Sequence, residues 1–147
     1  MFCECYLRKG LVYLPGLAKA TAGFYIGIDP VLIVPIADTD AVLKAMHEIW
    51  ISGNPIVPTP PPDEPAVLLK YVNAKTWGAF ARDALLWTMD EDNGVCKIVG
   101  YRKVRHGGYV PDPEQTITLP AGAGFDEMAK RLVEIMQAAA EFKPEQR

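Results

Sequence analysis

This chain of 147 residues has no apolar stretch approaching the ~18 residues that a membrane span requires; runs such as Val31-Leu-Ile-Val-Pro-Ile36 fall far short, and no membrane partner is expected. Positive charge is not in excess. Fifteen Lys and Arg stand against 18 Asp and Glu, for a net charge of −3 and a pI near 5.4, so no global field gathers nucleic acid and no direct contact with it is expected. Histidine is limited to His47 and His106, and the three cysteines lack the two-residue spacers of structural zinc sites. Cys3 and Cys5 share one face of a strand and could hold a metal only with ligands from elsewhere, so ordinary buried thiols are the reading adopted and no metal is assigned. Three cysteines cannot all pair within one chain, which suits a reducing compartment. The first residues carry Glu4 inside their apolar segment and the basic pair Arg8-Lys9 after it, the reverse of a secretory signal; the expected location is cytoplasmic.

Signatures of catalysis are missing as well. Gly107-Gly108 lacks the spacing of a phosphate-binding loop and opens no helix, so a turn is the better reading. His106 beside a cysteine would be a base with no third group to orient it, and His47 falls on the polar flank of its helix. No catalytic residue and no cofactor is assigned, and the chain is not expected to be an enzyme.

What is present is the composition of an ordinary globular domain. Half the residues are hydrophobic and 22% are charged, and a chain of this length buries enough surface to fold without staples. Residues 1–147 read as a single domain. Six of the thirteen prolines fall between 54 and 65, which marks a stiff connection. The alternative, a ligand for an aromatic groove, lacks flanking basic residues.

The clearest local signal is a β-hairpin over Leu85–Arg102 turning at Asn93-Gly94, two residues that tolerate the positive φ of a type I′ turn. With Asp92 opposite Val95, the register pairs Asp90 with Lys97, Met89 with Ile98, Thr88 with Val99, Trp87 with Gly100, Leu86 with Tyr101 and Leu85 with Arg102. Trp87 then covers the bare backbone of Gly100. The face of Leu85, Trp87, Met89 and Ile98 becomes the floor under a helix.

Alternation or apolar runs place further strands at Phe2–Leu7, Leu11–Leu14, Phe24–Ile28, Val67–Val72 and Thr116–Leu119. The run Val31–Ile36 suits a central strand covered on both faces. Three helices are expected. One is capped by Asp38 or Thr39 and runs to about Ser52, with Lys44 and Glu48 paired outside; a short one follows Asn73 over Ala74–Ala84; the longest covers Phe125–Phe142, with Glu127 and Arg131 paired outside. Arg105–Pro113 is turn-rich and reads as a surface loop, and Lys143–Arg147 should fray. Ile33–Asp40 and Ile117–Gly124 share a strand, a proline, a small-residue loop and a helix entry, a faint hint of repetition. The fold class is α+β: a mainly antiparallel sheet carrying two long amphipathic helices and one short helix.

Two charge groupings stand out. Asp90-Glu91-Asp92 sits at the hairpin tip, with Asp63-Glu64 in the Pro-rich connection, and Arg102, Lys103 and Arg105 lie at the hairpin's far end. They read either as solvated surface that protects an edge or as a partner-binding surface, the acidic set then being the candidate.

The phrases Tyr71-Val-Asn-Ala-Lys-Thr-Trp-Gly-Ala-Phe80, Ile98-Val-Gly-Tyr-Arg-Lys103 and Asp112-Pro-Glu-Gln-Thr-Ile-Thr-Leu-Pro120, within a small α+β layout, resemble bacterial immunity proteins encoded beside contact-dependent growth-inhibition toxins. The resemblance spans most of the chain and rests on layout rather than a diagnostic motif. It implies a protein that binds one cognate toxin domain, often a nuclease, and blocks its active site or substrate surface; a monomer or weak homo-oligomer is expected. Two alternatives remain open: a small-molecule-binding domain or enzyme with a pocket between the sheet and the long helix, and a homo-oligomeric structural protein using a strand edge or the spare apolar residues Trp50 and Ile51.

Overall fold

The computed structural model describes residues 1–105 and 108–141. Its elements run β1 (Phe2–Arg8), β2 (Leu11–Ala20), β3 (Tyr25–Pro35), α1 (Thr39–Ser52), β4 (Ile56–Val57), a 3-10 turn (Val67–Lys70), α2 (Trp77–Arg82), β5 (Ala84–Asp92), β6 (Val95–Lys103), β7 (Tyr109–Thr118) and α3 (Phe125–Glu141). The fold is α+β. Six strands form an antiparallel path in the order β3-β2-β1-β5-β6-β7, and β4 adds to β2 in parallel.

The order is a palindrome. β1 and β5 lie side by side, from Phe2 opposite Asp90 to Arg8 opposite Ala84, and each leads outward through two strands and then to a helix. The hairpins that start the two halves turn on the same geometry: Lys9 and Gly10 have φ of 52° and 79°, and Asn93 and Gly94 have φ of 52° and 79°. Both pairs occupy the left-handed region that a type I′ turn demands. Ile33–Asp40 and Ile117–Gly124 fall at equivalent places, where each outer strand gives way to its helix.

The principal core lies between the sheet and the two long helices. Cys3, Cys5 and Leu7 of β1 and Trp87 and Met89 of β5 pack with Val42, Met46 and Ile49 of α1 and with Met128, Leu132 and Met136 of α3. The three-and-four spacing in α3 puts its apolar stripe on this face, and truncating a buried member such as Leu132 to alanine should cost roughly 2–5 kcal/mol. Asp38 caps α1, its side chain accepting from Ala41 N at 3.1 Å. A smaller core covers the opposite face, where Tyr6, Tyr13 and Leu86 of the sheet meet Leu68 of the 3-10 turn and Phe80 of α2.

The hairpin register holds from Asp92 opposite Val95 to Trp87 opposite Gly100, and the pairs drawn beyond it, Leu86 with Tyr101 and Leu85 with Arg102, fall past the end of the ladder. There β6 shifts register against β7, between Val99 and Tyr101. Trp87 stands opposite Gly100, and Gln115 of β7 crowds the glycine: a β-carbon on it would stand 2.6 Å from Gln115 Cβ. Trp87, Met89 and Ile98 form the helix floor, but Leu85 is 38% exposed. No ion pair joins Asp90 to Lys97, Lys44 to Glu48 or Glu127 to Arg131 among the described residues.

Other expectations are corrected. Phe24–Ile28 and Val31–Ile36 belong to one strand, β3, with Asp29 and Pro30 left unpaired between Gly16 opposite Ile28 and Pro15 opposite Val31. That strand is the sheet's edge, not its centre, and Ile33 is exposed. Val67–Val72 is not a strand but begins with the 3-10 turn, because it docks across β3 instead of pairing with it. The short helix is capped by Thr76, whose hydroxyl accepts from Ala79 N at 3.1 Å, rather than by Asn73, and Ala84 already belongs to β5. Tyr109–Pro113 opens β7 instead of looping, since an edge strand tolerates Pro111 and Pro113. His106, Gly107, Phe142 and Lys143–Arg147 lie outside the described residues.

Candidate functional site

Pro15 has no N–H to give a ladder, and the β1–β2 pairing stops beside it, at Tyr6 opposite Tyr13. Beyond that point the two strands are held by a side chain. Asn54 accepts from Phe2 N at 3.0 Å and donates to Phe2 O at 3.0 Å and Leu17 O at 3.2 Å. The Pro-rich connection, continuous from Asn54, then runs over the smaller core and roofs a cavity of about 270 Å³. Glu4, Tyr6 and Pro15 line it from β1 and β2, Tyr25 and Gly27 from β3, Pro60 and Glu64 from the connection, and Trp77 from α2. Gly27 permits the close roof, because a β-carbon there would meet Val67 Cγ1 at 3.0 Å.

Glu4 is the charged group at this floor. It is half-buried, and its Oε1 accepts a hydrogen bond from Tyr6 Oη at 3.1 Å. Burial pushes its carboxyl above the usual value, and the Tyr6 hydrogen bond only partly offsets this. Tyr6 Oη is in turn held far above the phenol range, by burial first and then by the Glu4 charge. A second depression of about 660 Å³ continues past Gly27 to Asp29 and Lys70. Lys70 Nζ lies 2.7 Å from Asp29 Oδ2 and Tyr71 Oη donates to Asp29 Oδ1, which lowers the Asp29 carboxyl.

The residues expected to bind a partner fall in two places. Asp90, Glu91 and Asp92 end β5 at the hairpin tip, where Glu91 N donates to Met1 O at 2.9 Å and Asp90 stands opposite Phe2. Phe2 stacks on Tyr25 with ring centroids 4.7 Å apart. Asp63 and Glu64 are exposed on the connection beyond that aromatic pair, Glu64 sharing the cavity with Tyr25. Phe2 thus stands opposite Asp90 and stacks on Tyr25, which shares the cavity lining with Glu64. Around the tip Met1 is 42%, Tyr25 40% and Val95 48% exposed.

The cavity does not lie between the sheet and the long helix, since Met128, Leu132 and Met136 fill that space. Trp50 is not spare either, being stacked on Phe125 with centroids 4.8 Å apart, whereas Ile51 is exposed. Cys3, Cys5 and Cys96 are buried free thiols, and no group of three or more potential metal ligands comes together among the described residues. The sequence reading missed Glu4, Tyr6, Tyr25 and Trp77 as site residues. One local signal was available: Glu4 is a lone charge inside the apolar strand Phe2–Leu7.

No helix among the described residues is long and apolar enough to cross a membrane. No family model matches the chain, and no curated protein matches it. Among solved structures it is similar to the "Protein of Unknown Function NMB0488 from Neisseria meningitidis", at 11% identity and a TM-score of 0.63, over 94% of this chain and 93% of that one. At that identity the likeness is one of fold.

Proposed function

We propose that this chain is a cytoplasmic immunity protein that binds and neutralises a cognate bacterial toxin domain, with a basic nuclease as the class its charge suits, and that it performs no catalysis. The observation that carries the reading is the surface at the hairpin tip. Asp90, Glu91 and Asp92 have no ion-pair partner among the described residues and border the exposed Met1, Val95 and the Phe2–Tyr25 stack. Acidic groups steer a basic partner, and aromatic and apolar neighbours supply the desolvated contacts that hold it. The tip projects from β5, a strand paired on both sides, so the surface is presented without an ordering cost. An inhibitor needs such a rigid patch and no chemistry of its own.

The test is co-expression with the toxin-like gene that adjoins this one. A stable complex and protection of the host cell are expected. Failure of both would end the proposal.

A further inference from the structure

The cavity over Glu4 has a sign. Its lining holds two carboxylates, Glu4 and Glu64, and no lysine, arginine or histidine, while Tyr6, Tyr25 and Trp77 contribute aromatic rings. No cation answers Glu4: the ion pairs among the described residues are Arg8 with Asp83 and Lys70 with Asp29. Ring faces carry negative potential and attract ammonium groups, more strongly where water is excluded. Tyr25 already draws one, with Lys19 Nζ 6.0 Å from its ring centroid, yet Lys19 is not part of the cavity lining. An anion would be repelled here, and a neutral ligand would leave a half-buried carboxylate without a counter-charge.

We propose that the cavity bounded by Glu4, Tyr6, Tyr25, Glu64 and Trp77 is a binding site for an organic cation, an ammonium group seated with its charge toward Glu4 and its carbon substituents against the rings. The volume, about 270 Å³, falls just below the roughly 300–1,000 Å³ typical of ligand pockets, and so admits a small amine or the end of a lysine side chain but not a nucleotide. The site is built in advance. Pro60 and Pro65 stiffen the roof and Gly27 lets Val67 close over it, so little ordering is left for the ligand to supply. Burial of Glu4 without a counter-ion works against folding, a feature expected where a residue serves binding rather than stability. The cavity shares Tyr25 and Glu64 with the surface proposed to meet the toxin, whereas Glu4 lies outside that surface, so the small-molecule titrations and Glu4→Gln succeed or fail independently of toxin binding.

The same chemistry arises from a free amine or from a side chain of a bound protein, and three probes separate them. The 15N-labelled full chain is titrated with choline, with its uncharged isostere 3,3-dimethylbutan-1-ol, and with Nα-acetyl-lysine methylamide, following backbone amides and the Trp77 indole. Saturable shifts centred on Glu4, Gly27 and Trp77 are expected for the charged probes, with the neutral isostere about tenfold weaker or worse. Tighter binding of the lysine derivative points to a protein side chain, and tighter binding of choline to a free metabolite. Glu4→Gln should lose about tenfold in affinity with its shape retained, and Tyr25→Ala, at a ring already 40% exposed, should weaken binding several-fold while leaving the spectrum folded. Equal binding of choline and its isostere, no pocket shifts with any probe, or full affinity in Glu4→Gln would overturn the assignment.

Discussion

Tyr6 Oη donates to Glu4 Oε1 across 3.1 Å, between two side chains that β1 projects from the same face toward the cavity. The bond favours the ionised carboxylate, but burial outweighs it and the carboxyl stays above its usual value. A carboxyl held more protonated in the fold than in the unfolded chain contributes stability that is fully present below the unfolded pKa, about 4.3 for glutamate, and lost as pH rises through the folded value. Glu4→Gln removes that loss. The variant should match the parent near pH 4 and melt at a higher Tm than the parent at pH 7. Thermal melts of both chains at the two pH values check this, and an unchanged or lower Tm at pH 7 would show the carboxylate to be stabilised by other contacts.

Asn54 holds β1 to β2 where their own ladder has ended, through three hydrogen bonds to Phe2 and Leu17. Replacing it with alanine strands part-buried backbone groups on both strands. A loss of about 2–3 kcal/mol is expected, seen as a lower denaturant midpoint at unchanged slope.

Gly10 and Gly94 both have φ of 79° in matching turns of the two halves. A β-carbon meets no atom within 4 Å at either, so substitution acts through backbone strain alone. Gly10→Ala and Gly94→Ala should each cost about 1 kcal/mol, and the double variant should be additive, because the sites lie in separate turns. Chemical denaturation of the three chains measures it.

These turns also mark what was legible in the sequence. Asn93-Gly94 is local turn chemistry, and the α3 stripe is an uninterrupted period, so both carry their own geometry. The same tip leaves Asp92 exposed and Asp90 and Glu91 half-buried. Val67–Val72 was misleading because an apolar run fits a strand and a buried 3-10 turn alike, and only its docking on β3 decides between them. Pro111 and Pro113 read as loop residues because nothing local says that β7 is the last strand of the sheet. The cavity was hidden for a different reason. Glu4, Tyr25, Glu64 and Trp77 come from four segments, and the palindromic order that brings β1 to the centre is a tertiary fact.

Cys3 and Cys5 face the principal core, and burial pushes the Cys3 thiol up to about 12 and the Cys5 thiol well above its usual value. Cys96, raised by burial and nearby carboxylates, donates to Ala123 O at 3.5 Å. Since the thiolate is the reactive form, a disulfide reagent at pH 8 should label none of the three rapidly in the native chain and all three in denaturant. Fast native labelling would place at least one of them outside the core.

Asp92 is exposed, and neither it nor Glu91 forms an ion pair among the described residues, so reversing both charges costs the fold little. Glu91→Lys with Asp92→Lys should change stability by no more than about 0.5 kcal/mol. On the proposed function, its effect falls on binding. Rim charges act mainly on encounter, so the complex with the toxin domain should form at least about tenfold more slowly at low salt, with the difference shrinking as salt screens the field over a Debye length of about 8–10 Å. Tyr25→Ala gives the contrast: it removes desolvated contact area, so dissociation should quicken with little dependence on salt. Association and dissociation rates at two salt concentrations distinguish the two residues' parts. A double charge reversal that binds as fast as the parent chain would remove the hairpin tip from the interface.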